Sequence, residues 1–457
     1  MSRRLHISVR VLLLIALFAI GAFAEDRYVV KILGDANAVA KRHGLTLVKS
    51  LGGSAAGTHV FSSKGIDASI MLHQLTSDFS VRTAESDTPV VLPGIKPASS
   101  IVRPAASNTQ FSISSTLVRY HNSFVASGYL NQPAVNVINL SQAQKLATGA
   151  GIVATIDTGA DFTHPGLAPS LTAGWDFVNN WPLGQEQADL NTGGNPVLGQ
   201  ETTPILDQET TPILDGGTAI VLTQETTPIL DQETTPILDG KKYPAYGHGT
   251  MVASMIHLVA PDAKIMPLRA FGANGAATIS QIVAAIHFAV DRHADVINMS
   301  FSVTTDSPAL KNAMTFATDN GLILVAAAGN SGQATLVWPA AYANVIGVGA
   351  TDDFFVRASF SNYGNALVTL AAPGTDMITM YPKNHYAKVS GTSFSAPLVA
   401  GAAALLVDLN QKTDEKAAAA ALSNAHPIGQ ELGAGELDLY KALISLPKKL
   451  DGNNQDQ

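Results

Sequence analysis

No cysteine occurs anywhere in the 457 residues. That excludes disulfide bonds, thiolate metal sites and a cysteine nucleophile, so the fold must be held by its core or by bound ions. Positive charge is not in excess either: 28 Lys and Arg stand against 36 Asp and Glu, a net charge of −8. A nucleic-acid partner is therefore not expected, because phosphate binding needs a basic face. Charged residues are few at 14%, against 46% hydrophobic, the balance of a globular chain long enough for one large domain or several ordinary ones. Long apolar runs are scarce. The clearest, Val11 to Ile20, follows Arg3, Arg4 and Arg10 and is closed by Ala22-Phe23-Ala24. This is the three-part layout of a secretory signal peptide with cleavage after Ala24. That run is short for a membrane span, and so is the Ala-rich stretch from Val399 to Val407. The mature chain is expected to be secreted, extracellular or periplasmic, without stable membrane association.

What is present divides into segments. Residues 25–92 read as a small α+β module: Tyr28 to Leu33 is strand-like, Ala36 to His43 helical, Leu45 to Val48 and His59 to Phe61 strand-like, Ile66 to Leu75 helical, and Ser80 to Arg82 with Pro89 to Leu92 close the set. A β-α-β-β-α-β order suits a ferredoxin-like unit. Residues 93–127, rich in Ser, Pro, Ala and Asn, read as a linker that holds the expected processing site. Residues 128–446 form the main domain, and 447–457 a polar tail. Within the main domain Gln-Glu-Thr-Thr-Pro-Ile-Leu-Asp occurs four times, from Gln200, Gln208, Gln224 and Gln232. Units of that length with a proline in each cannot build a regular helix, so about 181–243 is expected to be an inserted surface loop.

The main domain alternates strand and helix. Ile152 to Ile156 is an apolar strand, Ile265 to Leu268 a strand, Ile279 to Arg292 an amphipathic helix, Val296 to Ser300 a strand, Pro308 to Asn320 a helix and Leu322 to Ala328 an apolar strand. Such alternation means a parallel sheet with helices on both faces. In open parallel sheets functional groups gather at the carboxyl ends of strands, where Asp157-Thr158-Gly159 and Gly329-Asn330-Ser331-Gly332 stand. Of 12 histidines, His248 alone lies between glycines at the start of a helical run; His164, His257, His287 and His385 read as structural or surface residues. Gly391-Thr392-Ser393 precedes an apolar helix, with Pro397 expected in its first turn, where a missing N–H costs nothing. A serine there lies beside free backbone N–H groups at the positive end of the helix dipole.

Chemistry joins these residues. A serine hydroxyl needs a base to take its proton, His248 can be that base, and Asp157 can fix its tautomer and stabilise the imidazolium. Asn330 can donate to a tetrahedral oxyanion together with the Ser393 N–H. The chain order Asp, His, Ser is one of three known for this geometry. With Asp157-Thr158-Gly159, Gly247-His248-Gly249-Thr250, Ala328-Gly329-Asn330 and Gly391 to Pro397 all in place, the chain resembles the subtilisin-like serine proteases from about Gly128 to Leu443, the insertion apart.

The resemblance implies an α/β, subtilisin-like parallel sheet flanked by helices and preceded by a ferredoxin-like propeptide module. It implies a secreted serine endopeptidase with Asp157, His248 and Ser393 as the triad, Asn330 in the oxyanion hole, polypeptide substrates, and the first module as intramolecular inhibitor, removed by self-processing. Ser300, Phe301 and Ser302 take the place of the substrate-pairing edge strand, where many relatives carry a glycine pair after the serine. No cofactor is implied for catalysis, and structural calcium, common in the family, is assignable to no residues. Asp-Thr-Gly is also an aspartic-protease signature, but no second Asp-Thr-Gly or Asp-Ser-Gly supplies the partner carboxylate. An α/β-hydrolase would need Gly-x-Ser-x-Gly, and Ser395 holds the place of the last glycine. A catalytically inactive binding protein on the same fold is the alternative from another class.

Overall fold

The computed structural model describes residues 26–92, 111–112, 116–190, 218–223 and 245–446. The signal segment, residues 93–110 of the expected linker, the four repeat units and the tail from 447 lie outside the described residues.

An eight-stranded sheet runs in the order Trp181–Leu183, Gly174–Asp176, Lys264–Arg269, Ile152–Asp157, Val296–Met299, Ile323–Ala327, Ile346–Thr351, Leu370–Pro373. All neighbours are parallel except the first pair. Parallel strands are buried on both faces, and alternate side chains point to opposite faces. Val153 accordingly packs with the helices His248–Val259 and Thr392–Leu409 in one core, while Ala154 and Ile156 pack with Ile279–Asp291 and Pro308–Asp319 in the other. The helix starts have local causes. Thr278 and Gln281 form a reciprocal capping box for Ile279–Asp291, and Ser307 caps Pro308–Asp319, whose proline stands at the first helical position. Thr392–Leu409 is longer than its apolar run suggested. At 18 residues it is long and apolar enough to cross a membrane, yet 89% of that stretch is buried inside the fold as the central core helix.

The N-terminal module has the split βαβ topology. Strands Thr46–Ser50, Thr58–Ser63, Asp26–Ile32 and Val81–Ser86 lie in that order, antiparallel throughout, with Ala36–His43 and Ala68–Thr76 as its helices. The strand expected to close the module is two separate pieces: Val81–Ser86 finishes the module's sheet, and Pro89–Val91 leaves it to pair antiparallel with Ala276–Thr278 of the main domain.

Part of the expected linker also proves structured. Leu117–Tyr120 and Ser123–Ala126 form a hairpin tied to the main body, Tyr120 donating to the Leu258 carbonyl at 2.7 Å and the Ala126 N–H to the Tyr386 hydroxyl at 2.9 Å. Four-residue strands set among Ser, Asn and His carry too little periodicity to be told from a linker. In the expected surface insertion, Trp181–Leu183 belongs to the main sheet, and Thr218–Thr223, between the two repeat pairs, runs parallel to His385–Ser390.

Candidate active site

Asp157 is the last residue of the strand Ile152–Asp157, and His248 the first of the helix His248–Val259. Glycines bring them together. Gly247 turns into the helix at φ +88°, and a Cβ on Gly249 would stand 2.0 Å from the Gly159 carbonyl oxygen, so only glycine lets the helix start approach the Asp157-Thr158-Gly159 turn this closely. His248 Nδ1 donates to Asp157 Oδ1 at 2.7 Å, with both side chains 1% exposed. The same oxygen accepts the Thr158 N–H at 2.7 Å. Burial lowers the imidazole pKa, but the charge and hydrogen bond of Asp157 and the charge of Glu186 outweigh it, holding His248 above the ordinary histidine value.

Ser393 lies in the first turn of Thr392–Leu409 and is fully buried. Its hydroxyl donates to the Ser300 carbonyl at 3.3 Å, while His248 Nε2 is buried without a hydrogen-bond partner. The Asp157–His248 hydrogen bond is therefore made, and the Ser393 hydroxyl bonds a carbonyl in place of the imidazole. The His248 ring lies 5.8 Å from that of Phe394, the residue after Ser393. A serine hydroxyl changes partner by rotation about χ1, and hydrogen bonds of this kind tighten only when substrate is bound.

Asn330 follows the strand Ile323–Ala327 by three residues. Its side-chain oxygen accepts both the N–H and the hydroxyl of Thr392, at 2.9 and 2.7 Å. Two donors on the oxygen fix the amide orientation, and Nδ2 is left buried and unpaired. Buried polar atoms without partners are few in a native fold. Two of them are His248 Nε2 and Asn330 Nδ2, whose residues contact Phe394 and Thr392, the two chain neighbours of Ser393.

Pro397 is not in the first turn. The helix starts at Thr392, which puts the proline inside it. Its missing N–H would have served the carbonyl four residues back, that of Ser393. The Ser300 hydroxyl fills the vacancy, donating to the Ser393 carbonyl at 2.9 Å, and in turn accepts from Asn298 Nδ2 at 3.0 Å. Ser300 is thus wired to the nucleophile's backbone. Phe301 is fully buried and packs 5.3 Å from the Phe271 ring in the core, and Ser302 is half-buried. The bulk at Phe301 is accommodated below the strand, so its side chain is taken up by the core.

The other histidines have structural surroundings: His164 lies against the His385 carbonyl, and His257 between the Ser123 and Ser170 hydroxyls, where burial pushes its pKa down to about 3. Among the described residues no group of three or more His, Asp and Glu is arranged to hold a metal ion. One residue the sequence reading missed is Glu186. Its buried carboxylate touches the segments of both Asp157 and His248, although it sits in the stretch read as an insertion. No spacing signal marked it.

A carboxylate–imidazole pair beside a helix-borne serine, on a parallel sheet between two helical layers, is the arrangement of a serine hydrolase. The family model described as "Subtilase family" matches residues 149–450. The thermophilic serine proteinase of Bacillus sp. (strain AK1) is 36% identical over 263 residues, 58% of this chain and 53% of that protein. Thermitase of Thermoactinomyces vulgaris is 31% identical over 309 residues, 67% of this chain and 93% of thermitase. Subtilisin Savinase of Lederbergia lenta is 40% identical over 173 residues, 36% of this chain and 64% of that protein. The chain thus spans about half the length of the first of these relatives. The fold of fervidolysin from Fervidobacterium pennivorans, a keratinolytic enzyme related to subtilisin, superposes with a TM-score of 0.65 at 20% identity, covering 93% of this chain and 61% of that one. The chain belongs to the subtilase family of serine proteases.

Proposed function

We propose that this chain is an exported serine endopeptidase, made with an N-terminal inhibitor and acting on polypeptides through Asp157, His248 and Ser393. The observation that carries the reading is the buried Asp157–His248 pair at 2.7 Å whose outer nitrogen has no partner, with the His248 ring packed near Phe394, the residue after Ser393. In the reaction the Ser393 proton passes to His248 Nε2 as Oγ bonds to the substrate carbonyl carbon. The carbonyl oxygen becomes an oxyanion held by Asn330 Nδ2 and the Ser393 N–H, a single such donor contributing about 3 kcal/mol. The C–N bond then breaks, the imidazolium gives its proton to the leaving amine, and water repeats the cycle in reverse on the acyl-enzyme. Asp157, bonded to Nδ1, stabilises the imidazolium.

The inhibitor part of the reading is supported by how the first module sits. Asp87 accepts the Ser280 N–H and hydroxyl, each at 2.8 Å, at the start of Ile279–Asp291. Glu85 accepts the Ser307 hydroxyl at 2.9 Å and the Ala309 N–H at 2.7 Å, at the start of Pro308–Asp319. Two carboxylates thus meet two positive helix ends. Pro89–Val91 adds a strand to Ala276–Thr278, and an extended segment entering as a strand is how a peptide would dock. Export is supported by the signal-like residues 1–24.

A serine-directed phosphonate tests the proposal. Mass spectrometry of the treated, processed protein is expected to place the adduct on Ser393; no adduct would favour a non-catalytic binding protein. Self-processing within residues 93–122 is expected to cease in Ser393→Ala, and cleavage of that variant when purified alone would refute it.

A further inference from the structure

We infer that Glu186 is a positioning residue for the acid–base pair, clamping the Asp157 turn to the His248 helix and holding a carboxylate at that helix's first turn. The inference rests on the proposed peptidase reading and adds a carboxylate to it.

Glu186 opens the short helical turn Glu186–Leu190 and is 1% exposed. One of its oxygens accepts from the Thr158 hydroxyl and, at 2.9 Å, from the Gly247 N–H. The other accepts the Thr250 N–H and hydroxyl at 2.9 and 2.8 Å. Thr158 follows Asp157, while Gly247 and Thr250 flank His248, so a single carboxylate fastens both catalytic segments. Thr158 completes the bridge by accepting the Gly249 N–H at 2.8 Å. The turn itself is held by the Glu186 N–H donating to the Ala160 carbonyl at 3.0 Å and the Ala160 N–H to the Gly184 carbonyl at 3.1 Å.

Among the described residues no Lys or Arg pairs with Glu186. A buried carboxylate without a cation is costly, and four donors with a helix N-terminus offset that cost only in part. The ionisable groups acting on this position are Asp157 on the sheet, His248 on the helix, Tyr246 in the turn before it and Tyr381 on the strand Met377–Tyr381. Of these only the imidazolium of His248 carries positive charge. Burial pushes the Glu186 carboxyl up to about 7, with the Asp157 charge acting the same way and the Thr158 and Thr250 hydrogen bonds against it.

The sign follows. His248 accepts the serine proton only when neutral, so the acid limb of kcat/KM reports its raised pKa. Removing the Glu186 charge removes one of the terms that raise it, and the limb moves to lower pH. In the processed enzyme, Glu186→Gln is expected to lower kcat on the order of 10–100-fold through misalignment, to leave KM within about twofold, and to shift the acid limb down by about 0.5–1 pH unit. Glu186→Asp keeps the charge but shortens the arm, so it should lose part of kcat while its acid limb stays at the wild-type pH. The same shift should appear in the His248 ring resonances titrated by NMR, which need no turnover. A fall in kcat with unmoved acid limb and ring titration would reduce Glu186 to an ordinary brace and overturn the inference, as would wild-type kinetics in Glu186→Gln. If Glu186→Gln does not fold, Glu186→Asp decides: an acid limb displaced with the charge retained counts against the inference. Failure of the peptidase reading is distinguishable, because wild-type protein would then neither hydrolyse peptides nor take the phosphonate while the ring titrations could still be compared.

Discussion

The two halves of the site are built differently. On the acid–base side, Asp157, Thr158, Glu186, His248 and Thr250 share hydrogen bonds of 2.7–2.9 Å. On the nucleophile side, Asn330 Nδ2 has no partner and the Ser393 hydroxyl rests on a carbonyl at 3.3 Å. The first half is preorganised, and the second has unfilled donors that the proposed reaction would offer to a charge existing only in its course. That division is what transition-state complementarity asks for, since donors satisfied in the resting protein would have to break those bonds to act.

The contrast can be broken from either side. The largest effect should come from the wired half: Asp157→Asn preserves the shape but favours the wrong imidazole tautomer, and kcat should fall on the order of 10⁴-fold with little change in KM. Next comes the open half. Asn330→Ala removes the unpaired Nδ2 donor, so kcat should fall about 10²–10³-fold; it also strips the Thr392 N–H and hydroxyl of their acceptor, so denaturant unfolding should lose about 1–3 kcal/mol. If kcat of the folded variant stays near wild type, Nδ2 is no oxyanion donor and the contrast fails. The smallest effect should come from Ser300→Ala, which leaves the Ser393 carbonyl and Asn298 Nδ2 each short of a partner. It should cost about 1–3 kcal/mol in denaturant unfolding and several-fold in kcat. An unfolding midpoint unchanged from wild type would show that Pro397 leaves no vacancy to fill.

Much of this was legible in the sequence because the signals were local. Uninterrupted apolar runs marked the inner strands Ile152–Asp157 and Ile323–Ala327 to within a residue or so, and the glycines around His248 and before Ser393 marked the turns that bring side chains together. What stayed hidden depended on contacts between distant segments. Glu186 sits in a stretch whose nearby repeats draw attention away from a lone acid, and its meaning comes from Thr158 and Thr250, 28 and 64 residues away. The helix start, expected close to Ser393, lies at Thr392, but Pro397 then falls beyond the first turn, where only a partner for the Ser393 carbonyl makes it tolerable. The bond from Ser300 to Ser393 spans 93 residues. No periodicity carries such information.

The Glu186 turn has an effect on how the gene for this chain can vary. The backbone is fastened to the site at Glu186 and again from Ala245, whose N–H donates to the Ala273 carbonyl at 2.8 Å, and Thr218–Thr223 pairs with His385–Ser390 between them. Where a chain is pinned on both sides, each doubling of a loop's length costs only about 0.6 kcal/mol in closure entropy. Residues gained between those anchors should thus cost far less than a single codon gained inside Ile152–Asp157, which would swap the strand's faces between the two cores.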